Sequence, residues 1–222
     1  MKFYSLFALF IFLTGCFQST HVNQPTKEEE KQLPNSISLP ADGQMLNVTP
    51  QDVPMLYTFL TSAEEPLKEI QKLRIKSLKR NYDGPPIYLL SYACKRNAPY
   101  CSHIVIQDNK ERKLSVPTAD FTQFDQYAFS PDKNTLLVKF KRLNKEDKIR
   151  HHVIAIDLKK MDIIPLKHPK LTIDIFNYQY KIVHLNWESN NRIKFHLKAD
   201  PSLNHIEWIE HRDEYMFIDF SI

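Results

Sequence analysis

Glycine is scarce in this sequence. Only three occur in 222 residues, Gly15, Gly43 and Gly84. Sites that cradle phosphate on bare backbone need glycines in clusters, so a P-loop or a dinucleotide fingerprint is excluded. Nucleophile elbows of the G-x-S-x-G kind and the H-E-x-x-H zinc helix are missing as well. Charge of one sign is also scarce. The formal net charge is +4, too mild for the basic face that a nucleic-acid partner requires. No apolar run reaches the roughly 20 residues of a membrane-spanning helix. With so little glycine, turns must rely on Asn, Asp and the fourteen prolines.

What is present begins with a leader. Lys2 precedes an uncharged, apolar stretch from Phe3 to Gly15, and Cys16 follows directly. A positive start, a short apolar run and small residues at its end make a secretory signal. Leu13-Thr14-Gly15-Cys16 resembles the lipobox of bacterial lipoproteins. That resemblance implies cleavage before Cys16, a diacylglyceryl group on its thiol and acylation of the new N-terminus, palmitate included. Two or more acyl chains anchor stably where one is marginal. In the Gram-negative sorting rule an Asp after the lipidated cysteine holds a lipoprotein at the inner membrane. Phe17 stands there, which implies the outer membrane, facing the periplasm; a Gram-positive host would place the protein outside the cell membrane. Residues 17–36 are polar, charged and without apolar periodicity, and read as a disordered tether reaching about 65 Å when extended. The domain plan is signal 1–15, lipidated N-terminus and tether 16–36, and one β-rich domain over 37–222.

With Cys16 acylated, Cys94 and Cys101 form an even pair in an oxidising compartment. They flank "KRNAPY" between two strand-like runs. A hairpin that sets them face to face predicts a disulfide, with Tyr92 opposite His103 and Leu90 opposite Val105. The spacing is wider than the C-x-x-C of redox pairs, so the bridge reads as a staple.

The rest of the chain predicts a mainly β (α+β) fold. A helical segment is expected near 50–72, opened by Thr49 as N-cap before Pro50. Ser62 and Glu65 stand in capping-box spacing there, and Leu67, Ile70 and Leu73 share one face. Residues 73–80 fit helix or strand equally. From Pro86 on, strands fit at 87–93, 101–107 and the "KLSV" after them. A second set fits at 126–129, 135–142, 152–157 and 162–166. A third fits at 181–187, 192–198, 205–210 and 214–220.

In the second set, "YAFSPDKNTLLVKF" followed by "HHVIAIDLKKMDIIPL" resembles a four-stranded blade of TolB-like β-propeller repeats, whose first turn reads S-P-D-G. Ser130, Pro131 and Asp132 match. Lys133 stands at the glycine position, so the tight turn is expected to be shared with Asn134. Trp187 and Asn191 match a following repeat more loosely. Closing a propeller takes at least four blades, and this chain supplies two sets and a partial one. The expectation is an open stack of propeller-like antiparallel meanders, with the helical segment covering a face or edge.

Candidate chemistry is thin. His211-Arg212-Asp213 stands without the Gly-rich loop and D-F-G of a kinase. His205, Glu207 and His211 alternate along one strand face and could ligate a metal, but the same alternation describes the outer face of a half-buried strand. His151 and His152 point to opposite faces of a strand and cannot ligate jointly. No metal or other cofactor is expected. The densest charge cluster is "KRLNKEDKIR" at a hairpin end, with Lys141, Arg142, Lys145 and Lys148 as candidate binding residues. The reading is a lipid-anchored envelope protein, not an enzyme. It would bind another protein as an inhibitor, immunity or adaptor factor; a structural part of an envelope assembly, or more remotely a hydrolase, is the alternative.

Overall fold

The structure, a computed structural model, describes residues 33–79, 84–96, 98–109, 111–166 and 176–198, and the backbone of 210–212 and 215–221. Cys16, the leader, most of the tether, and His205 and Glu207 lie outside these residues. Among the described residues no helix is long and apolar enough to cross a membrane.

Over the described residues the protein is mainly β, with two short helices and no closed propeller among them. It begins with a hairpin, β1 (Ile37–Ala41) and β2 (Gln44–Val48). Asp42 and Gly43 both take positive φ, +48° and +81°, the pair of left-handed residues that a two-residue hairpin turn needs. Ile37, Leu39, Ala41, Leu46 and Val48 face inward. Leu33 packs against the same core, and Tyr57 donates its hydroxyl to the Pro34 carbonyl at 3.2 Å. Contact with the fold therefore starts before the expected tether end at residue 36.

The helical segment is two helices, α1 (Pro54–Ser62) and α2 (Pro66–Gln71). Thr49 does not cap a helix at Pro50. Its amide and hydroxyl both donate to Asp52 Oδ2, at 2.8 and 2.9 Å, closing a turn over 49–52. The helix starts only at Pro54, whose missing N–H costs nothing at the first position. The expected capping box also fails. Ser62 ends α1 and donates back to Phe59 O, while Pro66 opens α2 with no side-chain cap. Leu67 is exposed; Ile70 and Leu73 pack inward. Residues 74–77 are strand β3 (Arg74–Ser77).

Next come β4 (Ile87–Tyr92), β5 (Cys101–Asp108), β6 (Lys113–Phe129), β7 (Thr135–Leu143), β8 (Ile149–Asp157) and β9 (Asp162–Ile164). With β3 they form one antiparallel sheet in chain order, β3 to β9. The long strand β6 belongs to two halves of it. Residues 113–122 pair with β5 and residues 123–129 with β7. Phe121, just before the change of partner, takes φ +56°. The two halves pack face to face through Leu89, Val105 and Val116 on one side and Leu136, Val138 and Ile154 on the other. The outer face of the first half, with Leu90, Ile104 and Ile106, is covered by β1, β2 and α1. The outer face of the second half, with Leu137, Val153 and Ala155, is covered by β10 (Ile182–Ser189) and β11 (Arg192–Lys198). Those strands continue to β12 (Glu210–Arg212) and β13 (Tyr215–Ser221) in the order β10-β11-β13-β12. The last sheet is thus not a meander in chain order, because β13 inserts between β11 and β12.

The Cys94–Cys101 disulfide is present, with Cα atoms 4.1 Å apart. The register around it differs by one residue from the expectation: Ser91 is opposite His103, Tyr92 opposite Ser102, Leu90 opposite Ile104. Ala93 is the reason. At φ +49° it adds a residue between the last ladder pair and Cys94, as a bulge does. A slip of one turns every side chain over. Leu89 and Val105 therefore share a face, and Leu90 joins Ile104 on the other.

Candidate functional site

The sheets place their turns at two opposite ends. At one, which we call the turn end, lie the β5–β6, β6–β7, β8–β9 and β10–β11 connections. They are tied to each other: Gln107 Nε2 donates to Leu158 O at 3.0 Å, Leu158 N to Asn134 O at 2.8 Å, and Asp132 N to Asn190 Oδ1 at 2.9 Å. The S-P-D turn is built from its own side chains. Ser130 Oγ donates to Asp132 Oδ1 at 2.6 Å, and Asn134 donates to both Asp132 oxygens. Those bonds, with Ser130's first, hold the Asp132 carboxyl below its ordinary pKa. Lys133 takes φ +61° by itself, so the glycine position is filled by a strained lysine and is not shared with Asn134.

The other, hairpin end holds the β4–β5 connection with its disulfide, the bend of β6, the β7–β8 hairpin and residues 176–180. Of the predicted binding residues, Lys141 and Arg142 are already engaged. Lys141 Nζ lies 3.1 Å from Asp125 Oδ1. The Arg142 guanidinium lies 3.6 Å from the centre of the Tyr178 ring, which stacks on His152. Burial pushes the Tyr178 hydroxyl up to about 12, against the opposing pull of Arg142 and the Thr122 hydroxyl. Lys145 and Lys148 stand exposed on the tip, Lys148 against Glu146 at 2.6 Å. The structure therefore splits the predicted cluster into an inner and an outer pair.

Beneath the tip lies a buried polar group that sequence reasoning missed. A shift in register between Phe124 and Gln126 brings Asp125 to the face of Lys139, Lys141 and His151. Re-aiming one side chain is what a bulge does. Lys139 is 2% exposed. Its ammonium donates to Asp125 Oδ2 at 3.0 Å and to the carbonyls of Ile182 at 3.2 Å and Val183 at 3.5 Å. Three acceptors match its three protons. Burial still lowers the Lys139 pKa, with Asp125 pulling the other way. Burial raises that of Asp125, but the two lysines outweigh it and the net shift is downward. His151 Nδ1 accepts the Ile182 N–H at 3.0 Å, so its proton sits on Nε2, 3.7 Å from Asp125 Oδ2. Burial and then Lys139 hold His151 down to about 4, and it is neutral at neutral pH. The group ties β10 to β7 and β8 through the bonds of Lys139 and His151 to the Ile182 backbone.

His103 has the same character. Its Nδ1 accepts from Ser91 Oγ at 2.9 Å, Nε2 donates to Thr122 O at 3.0 Å, and burial lowers its pKa. Among the described residues no three His, Cys, Asp or Glu side chains gather as a metal site. One cleft of about 400 Å³ lies between the α1–α2 corner and Cys94, and another of about 460 Å³ between Pro34 and α1. Neither contains the Asp125 group.

The exposed apolar side chains of the hairpin end are a second feature without a sequence forecast. Leu143 and Ile149 face each other across the β7–β8 ladder just behind the tip, 48% and 39% exposed. Phe121, 43% exposed, packs its ring tilted against Tyr100 at 5.3 Å between centres. The Tyr100 hydroxyl accepts the Leu143 N–H at 3.3 Å, and Lys95 sits 4.1 Å over the Phe121 ring. Their alternation with polar residues was readable; that it ends beyond any covering strand was not.

Compared with protein-family models, curated proteins and solved structures, the chain matches none.

Proposed function

We propose that this is a bacterial lipoprotein, anchored through Cys16 in the cell envelope, that binds another protein without catalysis. The body on the tether is an open stack of TolB-like, propeller-type blades. Support for the blade reading is the way β6 closes one antiparallel meander and opens the next, with the two packed face to face. The stack has natural stops. Its first face is covered by β1, β2 and α1, and the outward positions of β10 and β11 carry His184, Asn186, Lys194 and His196.

The observation that carries the binding reading is the hairpin end, where exposed apolar and aromatic side chains sit among cations. Protein interfaces have that composition, an apolar centre with aromatic and Arg residues and a polar rim. Strand edges support it less. β3 is short with Arg74 exposed, and β10 is bulged at two places, which is how edges avoid pairing. Action as an inhibitor, immunity or adaptor factor fits a surface of this kind.

The test is to solubilise the protein from its own membrane after fatty-acid labelling. Expected are label on the wild type, none on Cys16→Ala, and migration as a defined complex larger than the 26.2 kDa chain. Label on the variant would refute the anchor, and a monomer throughout would refute the partner.

A further inference from the structure

The hairpin end carries more than a charged loop. Its apolar members are contiguous: Phe121 lies on Tyr100, and Tyr100 reaches Leu143, which faces Ile149. Around them stand Lys95, Arg96, Arg142, Lys145, Lys148 and Arg150, against Asp120, Glu146 and Asp147 among the described residues. The turn end offers the contrast. There Asp108, Glu111, Asp132, Asp157, Asp162 and Glu188 stand against six cations among the described residues of the same connections, and Lys110 is a seventh in the sequence. Several are paired, as Lys113 with Asp108 at 3.2 Å and Arg192 with Glu188 at 3.4 Å. At the hairpin end a contiguous exposed apolar patch and an excess of cations over carboxylates therefore coincide among the described residues.

We propose that this end docks an acidic protein surface containing an apolar pocket, with Leu143, Ile149 and Phe121 entering the pocket and the surrounding cations meeting its acidic rim. The proposal rests on the protein-binding reading above and names the partner's chemistry. Charge complementarity selects the acidic rim, since like charges across an interface repel while opposite ones steer the encounter. The arrangement of the tip selects a protein over a lipid leaflet. Glu146 and Asp147 occupy the apex, outside Leu143 and Ile149. An anionic headgroup layer would meet those carboxylates first. A pocket that takes the side of the hairpin leaves them in water. Binding energy in such surfaces concentrates in a few central apolar and aromatic residues and the rim adds less. The apolar pair is thus expected to matter more than any single lysine.

The experiment places a photoreactive benzoylphenylalanine at positions 121, 143 and 149 of the full chain in the producing cell. Met45 and Ile163, exposed apolar residues elsewhere, serve as controls. Expected is one protein adduct shared by the three positions and absent from the controls, whose cross-linked peptide lies in an Asp/Glu-rich surface. In the position-121 protein, Leu143→Ser with Ile149→Ser should lower adduct yield at least tenfold, and Lys145→Glu with Lys148→Glu about threefold. Circular dichroism checks that each variant folds. A protein adduct at Met45 or Ile163 alone overturns this docking surface but leaves the binding reading standing. Adducts to lipid only at 121, 143 and 149 overturn the protein partner, and a cross-linked surface of basic residues overturns its acidic character. No protein adduct at any of the five positions contradicts both.

Discussion

The two ends of the stack solve different problems with similar residues. At the turn end, Asp132, Asn134, Leu158, Gln107 and Asn190 are consumed by contacts between neighbouring connections. Acids and bases there are close in number, and even a lysine is held at positive φ to keep the turn tight. At the hairpin end Asp125, Lys139 and Lys141 are equally engaged, yet Leu143, Ile149 and Phe121 stay exposed among the described residues. Single exposed apolar side chains occur elsewhere, as at Met45 and Ile163, but here they are contiguous. What the contrast teaches is where to look for function: at side chains that the packing leaves over.

The largest expected effect probes the engaged interior of the hairpin end. Lys139→Ala leaves the Ile182 and Val183 carbonyls without their donor and Asp125 with one lysine fewer. Removing one partner of a buried ion pair costs about 3–5 kcal/mol. Urea unfolding should show a loss of that size, and a loss below about 1 kcal/mol would mean that the group does not hold β10.

Acidification reaches the same place by another route. His151 is held down to about 4 in the fold, against about 6.5 when unfolded. Between these values the unfolded chain binds more protons, so stability falls as pH falls through that window, by about 3 kcal/mol in all. Asp125, whose burial is outweighed by the two lysines that hold it below the ordinary carboxylate range, adds a loss of the same sign at the acid end. His151→Asn, which keeps an acceptor for the Ile182 amide, should flatten the urea midpoint between pH 6.5 and 4. An unchanged slope would assign the acid sensitivity elsewhere, to His103 in the first instance.

The disulfide comes next. Cys94→Ser with Cys101→Ser opens a short loop and should cost about 2.5 kcal/mol in the chain-entropy model, with the overall fold retained. The wild type should show no free thiol at these positions after denaturation. A reactive pair would remove the staple from the account of this end.

The smallest effect belongs to the turn end and has the opposite sign. Lys133→Gly relieves a left-handed lysine at φ +61° and should stabilise by about 0.5–1 kcal/mol. Destabilisation would show that the lysine side chain contributes a contact that outweighs its backbone.

How much of this was legible in the residues follows a physical line. Local chemistry was: the Cys94–Cys101 bridge, the S-P-D turn and most strands from β4 to β11 report on neighbours in sequence. Strand β6, however, read as two short strands, 113–116 and 126–129, where one runs unbroken over Lys113–Phe129. The hairpin over 37–48 was not forecast, although Asp42-Gly43 is a turn signal and Leu39 and Leu46 lie in the core. The register at Tyr92 was not, because the left-handed Ala93 has no sequence signature. Nor was the Asp125 group. It depends on a bulge in β6 and on β10 arriving over β7, both set by packing between segments far apart in the chain. The basic loop was visible as charge, but which of its lysines are engaged depends on that same packing.

The central claim is that Leu143 and Ile149 are surplus to folding, and urea unfolding tests it most directly. Leu143→Ser with Ile149→Ser is compared with Leu136→Ala, a fully buried residue of the same strand as Leu143. The account predicts a loss below about 1 kcal/mol for the double variant, the scale of an exposed cross-strand pair, against about 2–5 kcal/mol for Leu136→Ala. Equal losses would contradict it, because the pair would then belong to the core and not to a binding surface.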